Sequence, residues 1–238
     1  MSSLTVADIA ATIDHAILKP ELTRAEVDGQ LALVARYGVF SACVRPSDVA
    51  HAYEVLEGSG VAVCAVIGFP HGTTTTQTKV AEATEALDEG ASELDMVINI
   101  GRLRSGLIED VEDDIRAVVM AAGEHVVKVI LETAYLSDDE IVAGCEAAER
   151  AGAAFVKTST GFAGGGATIE HLTLMRATVS DAVQVKASGG VRGLDTLLEM
   201  RELGVTRFGT SATATILDDV AARESGAAAS GGTDESSY

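Results

Sequence analysis

Short apolar runs alternate with longer amphipathic segments along the whole chain. Within the longer segments, apolar residues recur at intervals of three and four, which is typical of helices that bury one face. Six of the runs, rich in Val, Ile, Leu and Ala, span residues 12–16, 39–44, 61–68, 92–99, 126–131 and 205–209, and two more carry Lys157 and Lys186. Eight strands that alternate with eight helices predict a parallel α/β fold. This regularity favours a closed (β/α)8 TIM barrel over the alternative, an open doubly wound sheet.

Polar residues mark where two of the predicted helices begin. Thr23 with Glu26 and Ser137 with Glu140 have the spacing of capping boxes, in which each side chain accepts a hydrogen bond from the other residue's backbone N–H. A helix is therefore predicted directly after Thr23 and directly after Ser137.

Hydroxyl and glycine residues predict three further boundaries. The threonine run at residues 73–76 is expected to open a helix that continues to Gly90, and a turn at residues 101–106 is expected to precede a helix over 107–122. Thr210 and Ser211 are expected to begin the last helix, directly after the eighth strand.

The length of 238 residues suits one barrel, for which about 250 residues is usual. A short N-terminal helix over residues 4–11 would close the barrel floor, and a single domain would span residues 1–223. Residues 224–238 are rich in Ser, Gly and Ala and are expected to form a flexible tail that ends in Tyr238.

The chain is strongly acidic, with a net charge of -19 from 36 acidic and 17 basic residues. This charge predicts no nucleic-acid partner and no membrane partner, because nucleic acids and anionic membranes require a basic surface. The acidic surface has two interpretations, solubility alone or adaptation to a cytoplasm of high salt concentration, and the sequence leaves both open.

Cysteine and histidine residues form no ligand motif. The three cysteines have no CxxC spacing and the five histidines have no HExxH pattern, so no disulfide framework, no metal site and no cofactor is predicted. No apolar run reaches the roughly 18 residues that a membrane span needs. Met1 is followed by Ser-Ser-Leu-Thr rather than by a basic and apolar leader, so a cytoplasmic location is expected.

Three of the five lysines, Lys128, Lys157 and Lys186, lie inside β-branched runs typical of buried strands. A buried ammonium group loses hydration, and a second ammonium group close by disfavours its charge further, so that a neutral amine can attack a carbonyl. Both Lys157 and Lys186 are followed shortly by glycine, which puts them near the carboxyl ends of neighbouring strands, where barrels carry their active sites. The alternative for these lysines is a structural cluster of ion pairs.

The fourth predicted strand alternates between an apolar face and a more polar one. Leu94 and Met96 lie on the apolar face, and Glu93 and Asp95 lie on the face that would meet the barrel interior. Asp95 is therefore a candidate for moving protons between a carbonyl and an amine. Lys128 is expected to lie one layer deeper and to pair with Asp95.

Glycines near the ends of the last strands predict a phosphate site. Backbone N–H groups of such loops, together with the dipole at the start of the last helix, would face an anion. The candidate phosphate-binding residues are glycines, hydroxyl residues and one arginine: Thr160, Gly161, Gly189, Gly190, Arg192, Gly209 and Ser211. The alternative is that these glycines serve only as turns.

Five segments of the chain, in this order, resemble deoxyribose-phosphate aldolase, a family of class I aldolases. They are IDH at residues 13–15, ELDMVIN at 93–99, KVILET at 128–133, FVKTSTG at 155–161 and VKASGGVR at 185–192. The resemblance covers roughly residues 8 to 220. It implies a metal-independent lyase that reversibly cleaves 2-deoxy-D-ribose 5-phosphate to D-glyceraldehyde 3-phosphate and acetaldehyde, in deoxyribose phosphate catabolism.

Carried over to this chain, the resemblance implies three catalytic roles. Lys157 would form a Schiff base with the substrate, Lys186 would favour the neutral form of that amine and assist proton transfer, and Asp95 would act as acid and base. Lys128 and Tyr238 would be auxiliary residues.

The chain departs from some members of the family at two positions. Phe162 and Ala212 stand where a lysine and a serine of those members would contact phosphate. Two alternative functions stay open, another lysine-dependent phosphosugar barrel enzyme and a non-catalytic barrel that binds phosphosugars. Small phosphosugars and aldehydes are the expected substrates, and a homo-oligomer is expected, with a dimer favoured.

Overall fold

Eight parallel strands form a closed barrel in the computed structural model, which describes residues 4–226. Each strand pairs with the next one along the chain, and the eighth pairs back with the first. The strands are β1 (Ile13–Ile17), β2 (Ser41–Val44), β3 (Ala62–Ile67), β4 (Glu93–Val97), β5 (Val126–Ile130), β6 (Phe155–Lys157), β7 (Gln184–Ser188) and β8 (Arg207–Thr210). The predicted (β/α)8 barrel is confirmed, and the open sheet is excluded.

Helices connect successive strands and cover the outside of the barrel. The α-helices are α1 (Val6–Ala10), α2 (Arg24–Tyr37), α3 (Val49–Val55), α4 (Thr76–Asp88), α5 (Ile100–Arg104), α6 (Ile108–Ala122), α7 (Asp138–Arg150), α8 (Ile169–Thr178), α9 (Leu194–Glu202) and α10 (Thr213–Glu224). Two short 3₁₀ helices, Pro46–Asp48 and Thr133–Tyr135, follow β2 and β5.

Both predicted capping boxes are present. Glu26 accepts a hydrogen bond from the N–H of Thr23 at 2.7 Å, and Thr23 Oγ1 accepts one from the N–H of Glu26 at 3.4 Å. Ser137 and Glu140 make the equivalent pair at the start of α7. These bonds satisfy N–H groups that the first turn of a helix leaves without intrahelical partners, so both helices begin where the sequence indicates.

The predicted helix boundaries around residues 73–106 differ from the structure. The predicted turn at residues 101–106 contains most of α5 instead, because the Asn99 side chain accepts a hydrogen bond from the N–H of Arg102 and caps a short helix. α4 is shorter than predicted at both ends, with Thr75 as its N-cap.

The prediction that the last helix begins at Thr210 and Ser211 is wrong. Thr210 still belongs to β8 and pairs in register with His15 of β1. Because the closed barrel pairs β8 with β1, the strand continues through Thr210, and α10 begins only at Thr213.

Apolar side chains fill two separate spaces. The larger space lies between the strands and the helices and includes Leu94 and Met96 of β4, the face that the sequence assigns to the helices. The smaller space lies inside the barrel. There an interior apolar cluster is formed by Ala16, Leu18, Cys43, Cys64 and Val66, with Phe69 packed against it.

None of the helices between residues 4 and 226 combines the length and the apolar character that crossing a bilayer requires. α10 ends at Glu224, one residue beyond the predicted end of the barrel. The predicted flexible tail falls mainly on residues 227–238, which lie outside the described residues, and Tyr238 is among them.

Candidate active site

Charged side chains from six strands meet inside the barrel, and we call them the interior charge cluster. All are buried: Asp14, Glu93, Asp95, Lys128, Lys157, Lys186 and Arg207. In a barrel, inward-pointing side chains of different strands stack in layers. Residues that are distant along the chain therefore come within hydrogen-bond distance of one another.

Asp95 lies at the centre of this cluster. Its Oδ2 accepts hydrogen bonds from Lys157 Nζ and Lys186 Nζ, both at 2.7 Å, and its Oδ1 accepts one from Lys128 Nζ at 2.9 Å. Burial by itself raises the pKa of Asp95, but the charges of the three lysines outweigh it and hold this pKa well below its usual value. Asp95 is therefore a carboxylate that contacts all three lysines at once.

Lys186 and Lys128 each have further carboxylate partners. Lys186 Nζ donates to Asp14 Oδ2 at 2.5 Å, and Lys128 Nζ lies 2.6 Å from Glu93 Oε2. Burial lowers the pKa of a lysine, yet the neighbouring carboxylates, Asp95 among them, raise the pKa of Lys186 and of Lys128 above its usual value. Both therefore remain ammonium groups at neutral pH.

The sequence analysis predicted a reacting group of two lysines and Asp95, and this prediction is incomplete. Asp14, Glu93 and Arg207 belong to the same cluster. Asp14 Oδ1 accepts hydrogen bonds from Arg207 Nη1 at 2.9 Å and from Ser41 Oγ at 2.7 Å. A signal was present, since Asp14 is a carboxylate in a predicted buried strand and a buried charge requires a partner. The identity of the partner follows only from the closed barrel.

Lys157 differs from the other two lysines in its position and in its contacts. It is the last residue of β6 and pairs in register with Lys186 on one side and with Ile130 on the other, two residues beyond Lys128. Lys128 thus lies deeper in the barrel. Among the described residues, Lys157 forms an ion pair with one carboxylate, Asp95. The cluster holds four cationic side chains and three carboxylates.

A pocket of about 350 Å³ opens beside the ends of β6 and β7. It is lined by glycines and one arginine: Gly161, Gly164, Gly165, Gly166, Gly189, Gly190 and Arg192. Gly189 and Gly190 have φ values of 76° and 80°, which glycine adopts readily, and no Cβ separates their backbone from a ligand. The buried Nε of Arg192 has no hydrogen-bond partner in the described part of the chain. The pocket therefore offers backbone and guanidinium N–H groups to an anion.

Three of the predicted phosphate-binding residues lie outside this lining. Thr160 lines a second pocket, of about 330 Å³, together with Phe162. Gly209 belongs to β8, and Ser211 lies between β8 and α10. Both residues precede α10, whose N-cap is Ala212.

Gly209→Ala is expected to lower the free energy of unfolding by about 1–3 kcal/mol, because it crowds the barrel interior. A Cβ at this position would overlap Ser188 Oγ and would lie 3.1 Å from Ser188 Cβ and 3.4 Å from Lys186 Cε. Ser188 Oγ has no hydrogen-bond partner within residues 4–226, so Ser188→Ala should cost little and make room for the new methyl group. Denaturant unfolding of both single variants and the double variant measures this. A double variant no more stable than Gly209→Ala would contradict the steric explanation.

Cys43, Cys64 and Asp95 bring potential metal-ligand atoms within 4.8 Å of one another. Both oxygens of Asp95 already accept hydrogen bonds from lysines, and Cys64 Sγ donates to Asp95 Oδ1 at 3.3 Å. A metal cation at this place would meet three ammonium groups. The electrostatics of the interior charge cluster therefore oppose metal binding.

Comparison with known proteins identifies the family. A model of the DeoC/LacD family of aldolases matches residues 9–212. The chain is 53% identical over 213 residues to deoxyribose-phosphate aldolase 2 of Staphylococcus aureus strain MRSA252, a match that covers 90% of this chain and 97% of that relative. It is 55% identical over 203 residues to deoxyribose-phosphate aldolase of Staphylococcus haemolyticus strain JCSC1435, covering 85% and 92% of the two chains.

A solved structure shares the fold of this chain. It is described as the unique tetrameric structure of deoxyribose phosphate aldolase from Aeropyrum pernix, and it aligns with a TM-score of 0.85 at 30% sequence identity. The alignment covers 92% of this chain and 93% of that one. The barrel, its buried lysines and these matches lead to one assignment: the chain belongs to the DeoC/LacD family of aldolases.

Proposed function

We propose that this protein is a class I deoxyribose-phosphate aldolase. It reversibly cleaves 2-deoxy-D-ribose 5-phosphate to D-glyceraldehyde 3-phosphate and acetaldehyde through a Schiff base on Lys157. The observation that carries the proposal is the environment of Lys157, which lies at the mouth end of β6 and shares the Asp95 carboxylate with Lys186. The names of the curated relatives support the choice of substrate.

The reaction begins when the neutral amine of Lys157 attacks the aldehyde carbon of the open-chain sugar and forms a carbinolamine. Asp95 moves a proton from the attacking nitrogen to the carbonyl oxygen, and Lys186 donates a second proton to the resulting hydroxyl group, which leaves as water. Both side chains suit these transfers, because Asp95 Oδ2 lies 2.7 Å from each lysine nitrogen. The product is an iminium ion on Lys157.

Carbon–carbon cleavage then uses the iminium ion as an electron sink. Lys186, neutral after the first step, removes the proton from the 3-hydroxyl group. The bond between C2 and C3 then breaks, and its electron pair moves toward the iminium nitrogen. Glyceraldehyde 3-phosphate leaves, and an enamine stays on Lys157. Lys186 gives this proton to C2 of the enamine, and hydrolysis of the resulting iminium ion releases acetaldehyde and restores the amine of Lys157.

The glycine-lined pocket is the proposed phosphate site. Gly161 follows Lys157 closely in the chain, so the pocket lies near the reacting nitrogen, and the Arg192 guanidinium adds a positive charge to the backbone N–H groups. Phosphate binding there would hold the sugar with its aldehyde end toward Lys157. The lining contains no carboxylate that would repel the phosphate.

The Schiff base predicts a defined covalent product. Treatment with acetaldehyde and borohydride should convert Lys157 to N-ethyl-lysine, because hydride reduces the imine to a stable amine. Peptide mass spectrometry locates the ethyl group. Lys79 is a matched internal control, since it is buried outside the barrel and bonded to Asp114 at 2.5 Å, and it should stay unmodified. An ethyl group on Lys186 instead, or no adduct at all, would refute the assignment of Lys157.

A further inference from the structure

Glu132 is the one non-glycine residue with a positive φ among residues 4–226, with φ 59° and ψ 63°. The left-handed region is unfavourable for a residue with a Cβ, and such conformations are retained where surrounding contacts hold them. Glycine would satisfy the same turn more easily. A role of the Glu132 side chain would therefore explain why glutamate rather than glycine occupies this position.

The carboxylate of Glu132 connects the end of β5 with the segment that follows β6. Glu132 is 1% exposed, and its Oε2 accepts a hydrogen bond from the N–H of Thr160 at 3.2 Å and a shorter one from Thr160 Oγ1. Burial raises the pKa of Glu132, while the hydrogen bonds from Thr160 and the charge of Lys157 oppose this rise. Glu132 thus holds the residue three places after Lys157.

Thr160 extends this connection to an aromatic pair. The N–H of Phe162 donates to Thr160 Oγ1 at 3.0 Å. The ring of Phe162 meets the ring of Phe69 edge to face, with centroids 5.3 Å apart and an interplanar angle of 86°. Phe69 in turn packs against the interior apolar cluster. The hydrogen bonds of Glu132 therefore fix the whole segment between Lys157 and this pair.

We propose that Glu132 is a positioning residue of the aldolase reaction, which through Thr160 fixes the segment after Lys157 and holds Phe162 against Phe69 at the barrel mouth. The inference rests on the proposed Schiff-base role of Lys157. Fixing this segment keeps the Lys157 amine in position to attack the aldehyde carbon of the substrate. A displacement of a reacting group by about 1 Å lowers the rate on the order of a hundredfold.

Glu132→Gly tests the proposal, because it removes the carboxylate and keeps a backbone conformation that glycine favours. We expect kcat, measured well below the unfolding transition, to fall by about tenfold to a hundredfold. The denaturation midpoint should fall as well, because the buried N–H and hydroxyl groups of Thr160 lose their acceptor. Glu132→Gln keeps one acceptor oxygen and should recover most of the activity. A kcat in Glu132→Gly equal to that of the parent, despite the lower midpoint, would overturn the proposal, since it would mark a merely structural role.

Substitutions at Thr160 test the same contact from the other side. Thr160→Val removes the hydroxyl and should lower kcat, whereas Thr160→Ser keeps it and should not. The double variant with Glu132→Gly and Thr160→Val should be no slower than the slower single variant, because both changes break one contact. Additive losses in the double variant would overturn the connection through Thr160.

The rate of ethylation of Lys157 by acetaldehyde and borohydride separates this inference from the proposed function. Slower ethylation in Glu132→Gly than in the parent supports the positioning role. A parent without an adduct on Lys157 overturns the proposed function and the inference with it. A parent that is labelled at Lys157, with Glu132→Gly labelled equally fast and equally active, overturns the inference alone.

Discussion

Lys157→Arg is expected to lower kcat for cleavage of 2-deoxyribose 5-phosphate by on the order of 10⁴-fold or more, the scale of losses seen when a nucleophile is removed. The guanidinium group keeps a positive charge beside Asp95 but does not give up its proton, so it cannot form a Schiff base. Because the ion pair with Asp95 is retained, the unfolding midpoint should change little. Release of acetaldehyde measures the rate.

Two leucine variants complete this test. Lys157→Leu should be as inactive as Lys157→Arg, since both lack the amine. Lys186→Leu should also be slow, because it loses a proton donor, but acetaldehyde and borohydride should still ethylate Lys157 in that variant. Activity of Lys157→Arg within about tenfold of the parent would exclude a covalent intermediate on this residue.

Asp95→Asn is expected to cost about 3–5 kcal/mol of unfolding free energy and most of the activity, because it removes the carboxylate that three buried lysines share. In the parent, four cationic side chains of the cluster face three carboxylates, and the variant leaves two. The asparagine amide fills nearly the same space as the carboxylate. The lost unfolding free energy therefore measures the effect of the missing charge rather than a change in packing. Denaturant unfolding and the cleavage rate measure the two effects.

Asp114→Asn is the matched control for Asp95→Asn. Asp114 forms a buried ion pair with Lys79 outside the barrel interior, at 2.5 Å. Its replacement should also destabilise the protein, yet kcat measured well below the unfolding transition should match that of the parent. Equal losses of kcat in the two variants would mean that activity follows stability alone, which would remove the chemical role of Asp95.

The lowered pKa of Asp95 should also make the free energy of unfolding depend on pH in the acidic range. A carboxyl group whose pKa is lowered by folding adds stability above its unfolded value, ordinarily 3.8, and this stability is lost as the pH falls through the lower folded value. The parent should therefore lose stability progressively below about pH 4. Asp95→Asn should lose less over the same range, because an amide does not titrate. Equal slopes in the parent and the variant would contradict this account.

The amino-acid sequence by itself determined the order of strands and helices, because the signals that specify them are local. The alternation of Leu94 and Met96 with Glu93 and Asp95 identified the inward face of β4, and the capping boxes at Thr23 and Ser137 located two helix starts. Lys157, Lys186 and Asp95 stood out for the same reason. A charged residue within a short apolar run is costly unless it has a partner or a task.

Only the tertiary structure decided which charges meet and where the last elements begin. Asp14 and Lys186 form a pair although 172 positions separate them, and β8 continues through Thr210 because β1 is there to pair with it. The left-handed Glu132 likewise accepts its hydrogen bonds from Thr160, which lies in the segment after β6. Such contacts exist only when the barrel closes and brings distant strands into one layer, so no pattern of neighbouring residues encodes them.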